Sequence, residues 1–270
     1  MKPFVQSLIT ATLPCWVIGH RGAAAVCPEN TLSSFSLARD AGACMIEFDI
    51  QQSEDGELFV FHDDTLERLC GEPVTVGSLN YKALSARVIG RYHGESLTIP
   101  RLAEVFSTYR RSLLYNIELK TNSVISSGIE SRLVELVHEY GLTERVLVSS
   151  FCHESLRNVH EHDAHLALGL LLSLEQGCGL GSPEAMVARA QEFVCFSVHP
   201  DFRLLRLYPA LVEQCHLTGL RVFPWTVDHP HVWHVLVNQL HVDGVITNDP
   251  AKLYDWLLKH TKANGTGSVA

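Results

Sequence analysis

Short runs rich in apolar and β-branched residues recur along the chain, at 16–20, 44–49, 114–120, 145–150, 166–172, 193–199, 220–227 and 242–247. Their length and composition predict buried strands. Between most of them the apolar positions fall three and four apart, as on one face of a helix. Residues 30–42 begin at Asn30, a capping-type residue, and end at glycine. In 129–140, residues Ile129, Leu133, Leu136, Val137 and Tyr140 share a face. Similar segments follow at 155–161, 183–191, 209–218, 231–240 and 250–260. Eight strand–helix units in about 250 residues predict an α/β protein built as a closed (β/α)8 TIM barrel. An open doubly wound sheet is the second reading, disfavoured because no glycine-rich fingerprint follows the first strand.

One segment breaks the alternation. More than sixty residues separate the second run from the third. Within them Asp55-Gly56 predicts a two-residue hairpin turn. Centred there, the turn makes paired positions sum to 111 and sets Asp49 opposite His62. Residues 50–100 then form a hairpin and insertion over the barrel mouth, before a helix at about 101–111. The chain reads as one barrel domain over 1–260, with a frayed tail at 261–270.

Composition narrows the partners. The 270 residues carry a formal net charge of −9, with 46% hydrophobic and 19% charged residues. Such a balance argues against a nucleic-acid backbone or an anionic membrane surface as the main partner. It leaves room for local positive charge that binds a small anion. Eight cysteines show no CxxC pair and no zinc-like spacing, which predicts buried reduced thiols and a cytoplasmic location. The first residues carry one early lysine and a broken apolar stretch, read as no signal peptide. No run approaches 18 uninterrupted apolar residues, so no membrane span is expected.

Polar residues gather where the strands end. In a (β/α)8 barrel the C-terminal strand ends carry the function. His20 and Arg21 end the first strand, Glu47 and Asp49 lie two apart on the second, and Glu118 and Lys120 lie two apart on the third. Residues two apart on a strand point the same way. His62 joins them through the hairpin. Three converging carboxylates repel one another unless a cation binds. An all-oxygen set suits a hard divalent ion, Mg²⁺ or Ca²⁺, better than zinc. Arg21 and Lys120 can hold phosphate oxygens. His20 and His62 suit general acid–base work near neutral pH. Each residue alone has a plainer reading: a hydrogen-bonded histidine, a solvated sheet face, a structural salt bridge. Together those readings need several coincidences at one barrel end. Trp225 reads first as packing, Asn30 as a helix cap, and the remaining histidines as surface residues.

The ordered set resembles the glycerophosphodiester phosphodiesterase family. It comprises His20-Arg21-Gly22, Pro28-Glu29-Asn30-Thr31, Glu47-x-Asp49, Asp55-Gly56, His62-Asp63, Ile99-Pro100-x-Leu102 and Glu118-x-Lys120. It continues through 146–151, 225–228 and 242–250, so the likeness spans about 16 to 250. The resemblance implies a barrel with a small insertion after the second strand. It also implies divalent-metal-dependent hydrolysis of glycerophosphodiesters, small molecules such as glycerophosphocholine, to sn-glycerol 3-phosphate and an alcohol. It places Glu47, Asp49 and Glu118 as metal ligands and His20 and His62 as the acid–base pair. Arg21 and Lys120 fall near the phosphate, with Glu29 and Trp225 as further candidate substrate contacts. Two departures stand out: Asp228 where the family often has asparagine, and Asn248 where aspartate is common. Asp228 is expected to bear on the alcohol side of the substrate. The nearest rival is a phospholipase D-like enzyme acting on lysophospholipid or sphingomyelin. It would need an apolar lip, and the insertion's 91–100 stretch is too polar for one. A non-catalytic binding barrel would tolerate losing a site residue, yet every one is present.

Overall fold

The computed structural model describes residues 13–121 and 128–263. Its strands are β1 (Trp16–His20), β2 (Met45–Gln52), β3 (Leu58–Val60), β4 (Val88–Tyr92), β5 (Glu95–Thr98), β6 (Leu114–Leu119), β7 (Val146–Ser150), β8 (Ala167–Leu172), β9 (Ser197–Pro200), β10 (Arg221–Val222) and β11 (Gly244–Thr247). Eight of them run parallel in the order β10-β9-β8-β7-β6-β2-β1-β11, with helices between. Backbone bonds close the ring: Asp243 N–H to Val222 O at 3.1 Å, Ile246 N–H to Pro224 O at 3.0 Å and Val227 N–H to Ile246 O at 3.0 Å. Pro224 has no N–H to give, so the stretch 220–227 is regular only over Arg221–Val222. The result is the (β/α)8 barrel.

Strand alternation sorts the core into two layers. On β2, Ile46, Phe48 and Ile50 point outward into the large cluster beneath the helices. Met45 points inward with Ile18, Leu114, Leu147, Ala167, Phe223 and Ile246, filling the lower barrel. Following each inward face upward, apolar gives way to polar. Ile18 is followed by His20, Met45 by Glu47 and Asp49, Leu114 by Asn116 and Glu118, and Leu147 by Ser149. The same side of each strand therefore packs the floor and then supplies the site.

The hairpin after β2 departs from its expected register. Ile50 pairs with Val60, Gln51 with Phe59 and Gln52 with Leu58, so paired positions sum to 110. Asp49 faces Phe61, whose N–H reaches its carbonyl at 3.1 Å, and His62 lies one residue beyond. The turn explains the shift. Gly56 N–H bonds Ser53 O at 3.0 Å, Ser53 N–H bonds Glu57 O at 3.0 Å, and Gly56 has φ +82°. This is a three-residue loop with a left-handed last residue, not the two-residue turn that Asp-Gly predicts. The insertion then builds its own core from Phe59, Phe61, Leu66, Val76, Tyr81, Leu84, Ile89 and Ile99. β4 and β5 form a hairpin over His93 and Gly94, both with positive φ. Pro28 packs against Gly90 so closely that a Cβ there would meet it at 2.5 Å, which ties the insertion to the loop after β1.

Other boundaries moved for local reasons. The strand expected from residue 193 starts at Ser197, because Val194 turns the chain with φ 52°. The helix expected over 231–240 is Pro230–His234 followed by a π-helical turn, Val235–Gln239. The last helix, Pro250–Ala263, takes up the first three residues assigned to the tail; residues 264–270 lie outside the described residues, as does the N-terminal stretch before residue 13. All eight cysteines are free, but only Cys15, Cys27 and Cys215 are buried, and Cys178 is exposed. Burial pushes the Cys15, Cys44 and Cys215 thiols up to about 12. Among the described residues no helix is long and apolar enough to cross a membrane.

Candidate active site

Register alone brings the first polar layer together. His20 of β1 pairs with Glu47 of β2, which pairs with Asn116 of β6. One step up, Asp49 pairs with Glu118, and Glu118 with Ser149 of β7. The three carboxylates are nearly inaccessible, Glu47 at 4%, Asp49 at 1% and Glu118 at 9%. One oxygen from each lies within 4.8 Å of the others. Burial, with the charge of Asp49 next, pushes Glu47 well above the usual carboxylate range and Glu118 up to about 7.

Cations and amides of the protein grip the outer edges of this triad. Lys120 Nζ lies 2.9 Å from Glu118 and 3.8 Å from Asp49. Burial opposes the charge on Lys120, but those two carboxylates outweigh it and hold the ammonium. Arg21 donates its backbone N–H to Glu47 at 3.1 Å and sets Nε 3.4 Å from Asp49. Asn30 donates Nδ2 to Asp49 at 2.9 Å. It is more than the helix cap expected of it; the cap of Leu32–Asp40 is Thr31. Arg21 and Asn30 both sit in the left-handed region, at φ 49° and 57°. That conformation costs a non-glycine residue about 1 kcal/mol, a strain that marks functional turns. Here it aims two side chains at one carboxylate.

Glu29 stands one layer out. It accepts from Arg21 at 2.7 Å and from Arg68 of the insertion at 2.7 Å. Burial resists its ionisation, yet the Arg68 hydrogen bonds and the Arg21 charge outweigh it and bring Glu29 down to about 2. Glu29 therefore anchors Arg21 rather than facing the cavity. Arg68 also holds Asp63 at 2.6 Å.

The two imidazoles differ in what backs them. His62 bonds Asp63 through Nδ1 at 2.6 Å. His20 bonds the side-chain oxygen of Asn248 through Nδ1 at 2.7 Å, and its Nε2 lies 3.9 Å from Glu47. Burial, then the charge of Arg21, pulls His20 below the ordinary imidazole value. The Asp228 carboxylate, expected to bear on the alcohol side of a substrate, is turned to its own neighbours. It is tied to Thr247 at 2.8 Å, to the Asn248 backbone at 2.8 Å and to the Asn248 side chain at 2.7 Å.

A cavity of about 120 Å³ joins these groups, lined by His20, Arg21, Glu47, His62, Glu118 and Trp225 among others. Trp225 gives its indole N–H to His199 O at 2.8 Å and stacks edge-on with Phe151 at 5.5 Å, so it offers the cavity an apolar face. Asn116 and Ser149 also line the cavity, are buried, and have side-chain polar atoms without partners. Sequence reasoning passed over both; their inward register two residues from Glu118 and Leu147 was the available signal. His199 also departs from the surface reading of the remaining histidines: it is fully buried, which brings its ring down to about 3. A larger groove of about 500 Å³ lies on the outer surface beside Pro209, Leu217 and His241, away from the carboxylate triad.

The donor set suits a hard divalent cation. Three buried carboxylate oxygens converge, and the buried side-chain oxygen of Asn30 beside them has no hydrogen-bond partner.

Comparison with known proteins agrees with this geometry. Residues 20–252 match the Glycerophosphoryl diester phosphodiesterase family. A glycerophosphodiester phosphodiesterase of Caldanaerobacter subterraneus is 38% identical over 247 residues, covering 90% of this chain and 98% of that protein. A solved structure from Galdieria sulphuraria, described as a candidate glycerophosphodiester phosphodiesterase, superposes with TM-score 0.81 at 28% identity, covering 92% and 100% of the two chains. An Oleispira antarctica phosphodiesterase, solved with its product sn-glycerol-3-phosphate, gives TM-score 0.75 at 26% identity, covering 90% and 96%. The chain belongs to the glycerophosphoryl diester phosphodiesterase family.

Proposed function

We propose that this protein hydrolyses glycerophosphodiesters such as glycerophosphocholine to sn-glycerol 3-phosphate and an alcohol, using Glu47, Asp49 and Glu118 to hold Mg²⁺ or Ca²⁺. The observation that carries this reading is the buried triad, two of whose carboxylates, Glu47 and Glu118, line the same cavity as His20 and His62. A divalent ion bound there supplies Lewis-acid polarisation of a phosphoryl oxygen and offsets the charge that develops on it. Arg21 and Lys120, already leaning on the triad, face the phosphate's remaining oxygens. His20 takes the proton from the attacking oxygen, which belongs to water or to the substrate's own glycerol; in the second case a cyclic phosphate forms first, and water then opens it to sn-glycerol 3-phosphate. His62 gives a proton to the departing alcohol oxygen as its bond to phosphorus breaks. The division follows the partners: a carboxylate, Asp63, stands behind the ring that donates, and a neutral amide, Asn248, behind the ring that accepts. Trp225 offers an apolar wall to the substrate carbon chain. The product seen in the Oleispira antarctica relative fits this substrate class. Replacing His20 or His62 with alanine is expected to lower kcat on glycerophosphocholine by about 10²- to 10⁴-fold, the usual worth of a general acid or base. Wild-type turnover in either variant removes that ring from the mechanism.

A further inference from the structure

The two departures in the family pattern, Asp228 and Asn248, prove to be bonded to each other and, through Asn248, to His20. Their hydrogen bonds run in one direction only. Asp228 Oδ1 receives the Thr247 hydroxyl and the Asn248 backbone N–H, both at 2.8 Å. Its Oδ2 lies 2.7 Å from the side-chain nitrogen of Asn248. A carboxylate accepts and does not donate, so the amide of Asn248 must present its NH2 group to Asp228. Turning that amide over would set oxygen against oxygen at hydrogen-bond distance. With the NH2 group committed, the oxygen of Asn248 is what faces His20 Nδ1, at 2.7 Å. An amide oxygen can only accept, so Nδ1 must carry the hydrogen.

We infer that Asp228 and Asn248 are positioning residues that fix the tautomer of His20, holding hydrogen on Nδ1 and leaving the lone pair of Nε2 directed toward the Glu47 side of the cavity. Neither touches the reacting atoms; Asp228 orients an amide, and the amide orients the ring. The inference deepens the assignment of His20 as the proton acceptor, and rests on it for its catalytic meaning. The ring could not accept a proton at Nε2 if that nitrogen already held one.

The chain of bonds makes an unusual substitution informative. In Asp228→Asn, the oxygen of the new amide must stay on the backbone N–H of Asn248, which is a fixed donor. Its nitrogen then faces the side chain of Asn248. The Asn248 amide turns over to accept from it, and presents NH2 to His20 Nδ1. The hydrogen of the ring moves to Nε2. A second change, Asn248→Asp, repairs the direction: a carboxylate at 248 accepts both from the new amide at 228 and from Nδ1–H of His20.

The test is nitrogen NMR of isotope-labelled histidine in the full-length protein in mildly alkaline buffer, with the His20 signals identified by their loss in His20→Ala. Wild type is expected to show hydrogen on Nδ1 and a bare Nε2. Asp228→Asn is expected to invert that pattern and to lower kcat on glycerophosphocholine by about 10²-fold with KM within about twofold, the signature of a lost proton acceptor. Adding Asn248→Asp to Asp228→Asn is expected to restore the wild-type NMR pattern and most of kcat. Hydrogen on Nε2 in the wild type, an unchanged pattern in Asp228→Asn, or no restoration in the double variant would overturn the inference. Inversion of the tautomer with undiminished kcat would leave the positioning intact and instead overturn the functional reading of His20.

Discussion

Asn30 shows how a single residue can serve two scales of structure. Its backbone, at φ 57°, turns the chain into the helix that Thr31 caps, and its side chain holds Asp49. The sequence shows the turn chemistry but not the second role, because the distance from 30 to 49 exists only in the folded barrel. Asn116 and Ser149 were hidden for the same reason. The carboxylates, His20 and Lys120 were legible because each sits at a strand end on an otherwise apolar alternation, a place where solvation does not explain a charge. Glu29 provides a prediction at this scale. Its carboxylate sits near 2 in the folded protein against an ordinary value near 4.5. A depressed carboxylate contributes stability above its unfolded value and loses it as pH falls through the folded value. Glu29→Gln is therefore expected to cost about 1–2 kcal/mol near neutral pH, discounted because Arg68 is half-exposed. It is also expected to flatten the fall in stability between about pH 4.5 and 2, read from melting temperature against pH. An unchanged slope would show that Arg68 and Arg21 do not hold Glu29 as described.

At the scale of elements, the strands and most helices could be read from periodicity, and the errors cluster where local backbone geometry overrides pattern. Asp55-Gly56 signalled a hairpin correctly, but Gly56 serves as the left-handed residue of a three-residue loop and shifts the pairing by one. His62 still lines the cavity, because regular pairing has ended by then and the chain turns over the barrel rim. The shorter elements of the insertion were not foreseen; their apolar residues face a small private core rather than the barrel. That core positions His62 and Arg68 from outside. Leu84 is fully buried in it and does not line the cavity. Leu84→Ala is expected to cost about 2–5 kcal/mol. Its effect on activity is expected in kcat, through His62, while affinity for Mg²⁺ stays within about threefold, since the proposed cation ligands stand on barrel strands whose packing is separate. Calorimetric titration with Mg²⁺ beside steady-state kinetics separates the two. A large loss of metal affinity with kcat retained would contradict this division of labour.

For the molecule as a whole, the barrel floor stores apolar burial and the mouth concentrates unfavourable charge. The conflict is expected to show in the metal-free protein. Glu118, at about 7 when folded and about 4.5 when free, and Glu47, also raised, favour the protonated state in the fold. A carboxyl raised in this way contributes stability below its unfolded value and loses it as pH rises through the folded one. Stability without metal should thus fall from about pH 4.5 to beyond 7, by this contribution. Added Mg²⁺ or Ca²⁺ should raise the melting temperature more above pH 7 than at pH 5, because the ligands must be deprotonated to bind. Saturation a hundredfold above Kd would contribute about 2.7 kcal/mol. Scans at the two pH values, with and without the ion, provide the comparison; an equal gain at both would mean the triad is not the site of binding.

The most direct measurement is the release of sn-glycerol 3-phosphate from glycerophosphocholine by EDTA-treated protein, before and after Mg²⁺ or Ca²⁺ is returned. Negligible release after EDTA is expected, with restoration by at least one of the two ions and no restoration in Asp49→Asn. Full turnover in the presence of EDTA, or equal restoration with the Asp49 carboxylate removed, would contradict it.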